Sequence, residues 1–245
     1  MNGCNGHMGK TICDIVSKEK NCEIVAGIDI VESNATFPMF TNVNDCDMPA
    51  DVIIDFSTAT AVPSILNYAV SKKIPIVICT TGLSEETIKM IDDAASVIPV
   101  FRSANMSIGI NIIANLLRKV VKILDDTNFD IEIIEKHHNQ KIDAPSGTAL
   151  LLADSMNETM NKKYEYVYDR SSVRQKREKK ELGIHTLRGG TIVGEHSVIF
   201  AGNNEVLEFK HSASSKEIFA VGAVKAAQFI ADKPCGKYDM QNLMD

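Results

Sequence analysis

The chain has 245 residues, of which 44% are hydrophobic and 24% are charged, and its formal net charge is −6. This composition is typical of a globular protein with one or two domains. The acidic balance disfavours broad binding of nucleic acid, and no apolar run approaches the roughly 20 residues that a membrane span requires.

Cysteine usage indicates the compartment. The six cysteines are scattered without the spacing of a metal or redox motif. Such a pattern favours reduced thiols over a disulfide framework. We therefore expect a cytoplasmic protein that binds neither nucleic acid nor membrane.

A glycine-rich turn opens the chain and runs directly into a predicted helix. It reads Gly3-Cys4-Asn5-Gly6-His7-Met8-Gly9. Glycines at this spacing permit a tight turn, close approach of the backbone to a pyrophosphate, and close packing of helix on strand. Asp29 ends the next apolar run, at the distance where an acid meets the adenine ribose hydroxyls of a dinucleotide. A helix-capping loop has the same composition, but the acid strengthens the nucleotide interpretation.

The same turn lacks one expected element. A dinucleotide fingerprint requires a strand before its first glycine, and here only Met1 and Asn2 precede Gly3. That strand would be the central one of a doubly wound sheet. We therefore expect the gene to encode a short apolar strand ahead of Met1.

The first hundred residues alternate between strand and helix signals. Strands are predicted at 23–29, 51–56, 74–79 and 98–101, and helices at 8–20, 59–72 and 84–95. Ser84 is a predicted N-cap, with two glutamates in the first turn. Continuous β-branched runs are typical of parallel strands that are covered on both faces. The alternation predicts a Rossmann-like doubly wound parallel sheet in an α/β fold.

After residue 106 the pattern changes. A long apolar helix is predicted at 108–124, followed by strands with period-two alternation at 129–135, 190–200 and 205–211, and a helix at 217–231. Alternation of this kind suits an open, mostly antiparallel or mixed sheet with one exposed face. We therefore predict an α+β domain at 107–216, inserted into a dinucleotide-binding domain at 1–106 and 217–245.

Residues 135–148 carry the most specific chemical pattern, Glu-Lys-His-His-Asn-Gln-Lys-Ile-Asp-Ala-Pro-Ser-Gly-Thr. The imidazoles of His137 and His138 can move protons near neutral pH, and a partly desolvated Lys141 can supply one. Ser146-Gly147-Thr148 then opens a predicted helix, whose first N–H groups favour a carboxylate or phosphate. Proton donors beside an anion site predict an active site.

This stretch has two simpler interpretations. In the first, the two histidines simply end a strand and Lys141 is a solvated loop residue. The aspartate and the Ser-Gly-Thr sequence, at their spacing from the histidines and the lysine, argue against this interpretation. Two imidazoles can also bind zinc. Adjacent histidines on an extended chain point to opposite faces, so one metal rarely takes both, and we predict no metal site.

A basic stretch at 170–181 has the composition of a solvated surface segment. An anionic partner is the alternative interpretation. We assign this stretch no role.

The motif at 135–148 resembles the signature of the 4-hydroxy-tetrahydrodipicolinate reductase (dihydrodipicolinate reductase) family. The likeness extends over nearly the whole chain. Residues 3–9 are similar to the nucleotide loop of that family, Cys79-Thr80-Thr81-Gly82 to its Gly-Thr-Thr-Gly turn, and Ser103-Ala104-Asn105-Met106 to its nicotinamide-side loop. Segments 188–196 and 236–240 also fit. The chain departs from the pattern in the absent first strand, in Cys79 where glycine is usual, and in Lys237 where an apolar residue is common.

The resemblance implies an activity and a set of residues. The family reduces 4-hydroxy-tetrahydrodipicolinate to tetrahydrodipicolinate with NADH or NADPH, in lysine and diaminopimelate biosynthesis. It implies that His137 and Lys141 are catalytic and that His138, Ser146, Gly147 and Thr148 bind the small dicarboxylate substrate. It also implies a homotetramer assembled through the sheet of the second domain. The cofactor-binding residues that it implies are Gly3, Cys4, Asn5, Gly6, His7, Met8, Asp29, Cys79, Thr80, Thr81, Ser103, Ala104, Asn105 and Met106.

Cofactor choice depends on Asp29. A carboxylate favours a free pair of ribose hydroxyls and repels a 2′-phosphate. Ile30 stands where an arginine would favour NADPH, although Lys10 could attract the phosphate. We expect NADH to be at least as good as NADPH.

Three other functions remain open from the sequence. The chain could be another two-domain Rossmann oxidoreductase, which the combined motif at 135–148 disfavours. It could be a non-catalytic NAD-binding sensor, which would not need matched proton donors. It could be an inactive NAD-binding fragment if the first strand is truly absent.

Overall fold

The computed structural model describes residues 1–31 and 33–244, and the chain divides into two compact units. The first unit comprises residues 1–108 and the residues from 217 onward, and the second comprises 109–216. In chain order the helices are α1 (His7–Val16), α2 (Val62–Lys72), α3 (Glu85–Ala94), α4 (Ile108–Leu124), α5 (Gly147–Thr159) and α6 (Glu217–Ile230). The strands are β1 (Gly27–Ile28), β2 (Met39–Phe40), β3 (Ile53–Asp55), β4 (Ile76–Ile78), β5 (Pro99–Arg102), β6 (Asp130–His137), β7 (Glu165–Val167), β8 (Glu181–Arg188), β9 (Gly194–Ala201), β10 (Val206–Ala213) and β11 (Gly236–Tyr238).

The first unit is built on parallel strands. Four of them are ordered β11-β5-β4-β3, and β1 pairs separately with β2, also in parallel. Every residue of β3 and β4 is buried, as expected for strands covered on both faces. The predicted Rossmann-like parallel sheet is confirmed. The predicted N-cap is also confirmed, because the Ser84 hydroxyl accepts a hydrogen bond from Thr87 N–H.

Three of the four strands predicted in this unit are shorter than expected, whereas β5 has the predicted length. Only Gly27–Ile28 of the predicted strand 23–29 forms β1, and only Ile53–Asp55 of the predicted strand 51–56 forms β3. Apolar periodicity reports burial, whereas a strand also needs a hydrogen-bonding neighbour. Residues 24–26 are apolar but lie in no ladder, so the wider range was wrong.

Met1 and Asn2 lie between β1 and β3. Asn2 makes a single parallel bridge to Ile28 and another to Asp55. Its N–H donates to Ile54 O at 2.9 Å, and Ile28 N–H donates to Met1 O at 2.8 Å. Met1 and Asn2 therefore connect β1 and β3, with one bridge to each strand. On these sides the two strands have no other partner within the described residues.

A cavity of about 890 Å³ lies beside Met1 and Asn2. Its walls include Ala26 of the segment before β1, Ile53 of β3, and Val16 of α1. The space is partly open to solvent, since exposed residues such as Glu19 and Lys20 also line it. The Met1 ammonium group donates to Ala26 O at 2.7 Å, and burial lowers the pKa of this group.

The second unit contains a five-stranded mixed sheet with the order β10-β9-β6-β8-β7. The central strand β6 is antiparallel to β9 and parallel to β8. Its side chains alternate, with Ile131 and Ile133 buried against α4 and α5, in one core with Leu117 and Leu152. The predicted mixed sheet is thus confirmed, and α4 has the predicted bounds, Ile108–Leu124. Strands β7 and β8 were not predicted, because β8 interrupts its alternation with four consecutive buried residues.

None of the helices in the described residues has the length and the apolar character that crossing a membrane requires.

The cavity beside Met1 leads to a stability prediction. Appending Val-Ile-Ile directly before Met1 extends, with apolar side chains, the segment that bridges β1 and β3, and it should stabilise the protein. Full burial of each such side chain contributes about 1.5–3 kcal/mol, and 1 kcal/mol shifts the melting temperature by roughly 2–4 °C in a chain of this size. Because ordering the added residues offsets part of this gain, thermal unfolding should move upward by about 10 °C or more. The control extension Ser-Gly-Ser should leave it unchanged, and equal melting of both extended forms would contradict the prediction.

Candidate active site

The buried face of β6 carries polar side chains at its carboxyl end. The alternation that buries Ile131 and Ile133 continues to Glu135 and His137, which are also buried. A buried carboxylate requires hydrogen-bond donors, since an unpaired one would be strongly destabilising. The two residues therefore mark the point where the core of the second unit becomes a polar site.

Glu135 is fully buried and accepts hydrogen bonds from four residues. Arg188 binds both carboxylate oxygens at 2.8 Å, with one guanidinium nitrogen to each. Ser146 N–H and the Thr186 hydroxyl each donate to Oε1 at 3.0 Å, and His137 Nδ1 lies 2.6 Å from Oε2. Glu135 thus joins β6, β8 and the start of α5 at one carboxylate.

These contacts determine the charge states of the pair. Burial alone raises the pKa of Glu135, but the hydrogen bonds from Arg188, His137, Ser146 and Thr186 outweigh it and bring the pKa to about 2. Burial lowers the pKa of His137, against the raising effect of Glu135. At neutral pH, therefore, His137 is a neutral imidazole that donates Nδ1–H to an ionised carboxylate.

The other ring nitrogen of His137 is available for chemistry. A Cβ atom at position 194 would lie 3.1 Å from His137 Nε2, so Gly194 keeps that side of the imidazole uncrowded. With the proton on Nδ1, Nε2 carries the lone pair. This nitrogen can accept a proton and return it.

A second buried imidazole lies next to the first. The rings of His196 and His137 have centroids 5.1 Å apart and are nearly perpendicular. Burial, together with the nearby His137, lowers the pKa of His196 to about 4, so it is neutral. His196 Nε2 lies 3.1 Å from the Ser146 hydroxyl, which also accepts from Ala149 N–H as the N-cap of α5. The Ser146 side chain is therefore committed to contacts within the protein.

Lys141 and Asp143 lie in the turn between β6 and α5. Lys141 Nζ pairs with the Asp143 carboxylate at 2.9 Å, and the lysine side chain is only 23% exposed. The hydrogen bond from Lys141 lowers the pKa of Asp143, and one from Gly147 N–H at the start of α5 adds to the effect. The helix start and the lysine thus already hold a carboxylate in this structure.

The remaining predicted residues of this region lie in the same turn. His138 follows β6 directly and is half-buried, and its carbonyl accepts from Lys141 N–H at 3.2 Å. Gly147 and Thr148 form the first turn of α5, where Gly147 is exposed and Thr148 is half-buried. The Ala144–Pro145 peptide bond that precedes them is cis. The structure thus places His137, His138, Lys141 and residues 146–148 around the carboxyl end of β6.

The first unit holds the predicted nucleotide loop. Gly3 has φ +76°, and a Cβ atom there would lie 2.4 Å from Phe56 O, so the chain requires glycine. Gly6 is the N-cap of α1 and supplies no side-chain cap, which leaves the first N–H groups of the helix for another acceptor. A Cβ atom at Gly9 would lie 2.1 Å from Gly3 O. Asn5 N–H donates to the Asp29 carboxylate at 2.9 Å, so the acid lies against this loop.

The other predicted cofactor-binding residues follow the carboxyl ends of β4 and β5. Cys79 and Thr80 are buried and Thr81 is exposed, ahead of Gly82 with φ +72°. In the loop after β5, the Ser103 hydroxyl donates to Asn105 O at 3.0 Å, and the Asn105 side chain accepts from Ser107 N–H at 2.8 Å. Ala104 is exposed and Met106 is buried. In the glycine loop Cys4 is buried, His7 is exposed and Met8 is half-buried. Because the strands are parallel, these loops share the edge of the sheet where α/β folds bind ligands.

Three residues of the site were not among those assigned from the sequence. Glu135 was seen as part of the motif but given no role, and Arg188 and His196 lie far from it along the chain. The register of β6 with β8 and β9 brings them together, pairing His137 with Arg188 and Glu135 with His196. The alternation of side chains within β6 could have indicated that Glu135 is buried. No spacing in the sequence indicated that Arg188 and His196 belong to the site.

The basic stretch 170–181 is largely neutralised within the second unit. Arg177 pairs with Asp130 and Glu132, each at 2.9 Å, and Arg170 pairs with Glu181. Lys180 pairs with Glu165 at 2.6 Å. The basic side chains of this stretch therefore pair with carboxylates of the neighbouring strands, which argues against an anion site here.

Nearly the whole chain is similar to one family of known proteins. Two family models match, described as dihydrodipicolinate reductase, N-terminus, over residues 1–106, and dihydrodipicolinate reductase, C-terminus, over residues 109–244. A 4-hydroxy-tetrahydrodipicolinate reductase of Caldanaerobacter subterraneus subsp. tengcongensis is 49% identical, over 100% of this chain and 96% of that protein. One from Clostridium tetani is 50% identical, over 99% and 95%. A solved structure, the dipicolinate-bound dihydrodipicolinate reductase from Paenisporosarcina sp. TG-14, shares the fold with TM-score 0.80 and 22% identity, over 98% and 97% of the two chains.

The charge state of Glu135 gives a prediction for stability against pH. A pKa of about 2, below its ordinary value of 4.5, stabilises the fold on the order of 3 kcal/mol above pH 4.5, and this contribution is lost as the pH falls through 2. Thermal melts between pH 6 and pH 2 should show it. Glu135→Gln should melt lower at pH 6, because Arg188 loses its partner, but with a shallower dependence between pH 4.5 and 2. Parallel pH profiles for the two proteins would contradict the assignment.

Proposed function

This chain belongs to the dihydrodipicolinate reductase family, and from that membership we propose that it reduces 4-hydroxy-tetrahydrodipicolinate to tetrahydrodipicolinate with NADH or NADPH, a step of lysine and diaminopimelate biosynthesis. The observation that carries the proposal is the arrangement at the carboxyl end of β6. There, a neutral imidazole held by an ionised carboxylate ends the strand, and the turn that follows carries Lys141 and leads to the start of α5.

In this proposal the two units have different binding roles. Residues 1–106 and 217–245 form the dinucleotide-binding domain, and residues 107–216 form the domain for substrate binding and oligomerisation. The parallel sheet with its glycine loop supports the first role, and the polar cluster around Glu135 supports the second. We further propose a homotetramer assembled through the mixed sheet, whose β10 exposes Val206 and Leu207.

The residues of the first unit fit a dinucleotide. The uncapped start of α1 offers N–H groups to a pyrophosphate, and the glycines at 3, 6 and 9 let backbone approach it. The other residues proposed to contact the cofactor are Cys4, Asn5, His7, Met8, Asp29, Cys79, Thr80, Thr81, Ser103, Ala104, Asn105 and Met106. When bound, the cofactor supplies the hydride.

The preference for NADH rests on Asp29. Its carboxylate lies against the glycine loop through Asn5 N–H, where it would accept hydrogen bonds from ribose hydroxyls and repel a 2′-phosphate. Ile30, next in the chain, is 89% exposed and offers no positive charge. We propose that NADH is at least as good a cofactor as NADPH.

The substrate is a dianion, so an acidic protein needs local donors to hold it. Gly147 and Thr148 offer N–H groups and a hydroxyl at the start of α5, and His138 and Lys141 lie in the turn before it. The Asp143 carboxylate, which Lys141 and Gly147 N–H already hold, shows which chemistry this turn accepts. Ser146 contributes by fixing the helix start through its bonds to Glu135 and His196.

Reduction leaves an enamine-like centre that must take a proton. We assign Lys141 as the donor, since its side chain is only 23% exposed and its ammonium group is held in place by Asp143. We assign His137 as the acid/base group, since Glu135 fixes its Nδ1–H and leaves Nε2 to exchange a proton. Each such role is typically worth about 10²–10⁴ in rate.

The central test is Lys141→Met, which removes the proton donor but keeps a side chain of similar length. Turnover should be abolished, whereas NADH affinity, measured by fluorescence titration, should stay nearly intact because the nucleotide loop belongs to the other unit. Lys119→Met, at an exposed lysine of α4, is the matched control and should keep full activity.

Near-normal turnover in Lys141→Met would overturn the assignment. A panel of sugar and amino-acid semialdehyde substrates, tested on the unmodified protein, separates this family activity from that of other Rossmann oxidoreductases.

A second prediction concerns the helix start. Thr148→Val removes a hydroxyl with little change in volume, and it should mainly raise the KM for the dicarboxylate. A hydrogen bond to a charged group contributes about 1.5–3 kcal/mol, so kcat/KM should fall roughly ten- to a hundredfold. Thr159→Val, which removes a hydroxyl at the other end of α5, should leave KM unchanged. A fallen kcat with unchanged KM would show that Thr148 has another role.

A further inference from the structure

A second buried carboxyl group lies in the first unit, outside the residues assigned above. Asp55 ends β3 and has no solvent exposure. Its Oδ1 accepts from Asn2 Nδ2 at 2.7 Å and from the Ser57 hydroxyl at 2.5 Å, and its Oδ2 accepts from the Thr80 hydroxyl at 2.7 Å. All three donors are neutral, so the group is held by hydrogen bonds from uncharged partners.

Each donor belongs to a different loop at the same edge of the sheet. Asn2 leads into the glycine loop, Ser57 follows β3, and Thr80 lies in the turn after β4. The loops are also joined directly, since Ser57 N–H donates to the Thr80 hydroxyl at 3.0 Å. The close approach of Gly3 to Phe56 O, the residue after Asp55, fixes the glycine loop against the same segment. Asp55 is therefore the common partner of three loops that the parallel sheet brings together.

The chemistry of this position requires a carboxylate. With two oxygens and no proton to donate, an ionised carboxyl group accepts from all three donors at once. An asparagine would turn a donor toward one of them and leave a buried hydrogen without an acceptor, and a smaller side chain would reach fewer. Loss of the carboxylate should therefore release the loops from one another while leaving the apolar core in place.

We propose that Asp55 is a positioning residue for the dinucleotide. It sets the glycine loop and the Thr80 turn at the spacing that the cofactor requires, and it acts through Asn2, Ser57 and Thr80 without touching the cofactor. This inference rests on the proposed function. It assigns Asp55 an effect on the affinity for the cofactor and none on the affinity for the dicarboxylate, because the residues proposed to hold the dicarboxylate belong to the second unit.

The test is Asp55→Asn in the full chain, assayed well below its melting temperature. The Kd for NADH, by fluorescence titration, and the KM for NADH should each rise about tenfold, whereas the KM for the dicarboxylate should stay within about twofold. Ser57→Ala removes one of the three donors at a half-buried site and should raise the Kd for NADH about threefold. In the double variant the two effects should be less than multiplicative, because both act through one carboxylate.

Tyr68→Phe is the matched control. It removes a buried hydrogen bond of 2.9 Å to Cys46 O in the same unit but leaves the three loops untouched. Asp55→Asn and Tyr68→Phe should lower the melting temperature comparably, and only the first should weaken NADH binding. If Asp55→Asn does not fold, Ser57→Ala against Tyr68→Phe gives the same comparison.

The outcomes separate this inference from the proposed function. If the unmodified protein binds neither NADH nor NADPH, the proposed function fails and this inference fails with it. If the unmodified protein binds NADH and Asp55→Asn or Ser57→Ala binds it equally well, only the positioning role is overturned. Equal weakening by Tyr68→Phe would also overturn it, since the effect would then be one of general stability.

Discussion

The polar site of the second unit depends on one fully buried carboxylate. Glu135 accepts from Arg188, His137, Thr186 and the backbone of Ser146, so it fixes two strands and a helix start together. A buried charge is tolerated only when its oxygens are satisfied, and here that requirement also orients the imidazole next to it. The constraint that keeps the core intact is thus the same one that sets the proton on His137 Nδ1.

The first unit uses the same principle at the edge of its parallel sheet. Parallel strands bring loops from distant parts of the chain to one side, but they do not fix those loops relative to one another. Asp55 supplies that connection by accepting from three of them. In both units a carboxylate at the carboxyl end of a buried strand converts a sheet edge into a defined set of hydrogen-bonding groups.

How far the sequence could predict these features differs from one feature to the next. The mixed sheet, the bounds of α4 and the N-cap at Ser84 were all predicted, because each depends on local periodicity or on a single side-chain hydrogen bond. The strand at 23–29 was predicted too long, because its length depends on a neighbouring strand. The roles of His137, Lys141 and the nucleotide-loop residues stay predictions, to be tested by the variants above.

By itself, the sequence determined the family, the alternation of strands and helices, and the cluster of His137, His138, Lys141 and residues 146–148. These are properties of residues that are close along the chain, where spacing translates directly into geometry. Only the tertiary structure decided that Arg188 and His196 complete that cluster and that Asp55 joins three loops. Such contacts depend on strand register and on which segments meet at a sheet edge. Both are set by packing between distant residues, which no local pattern encodes.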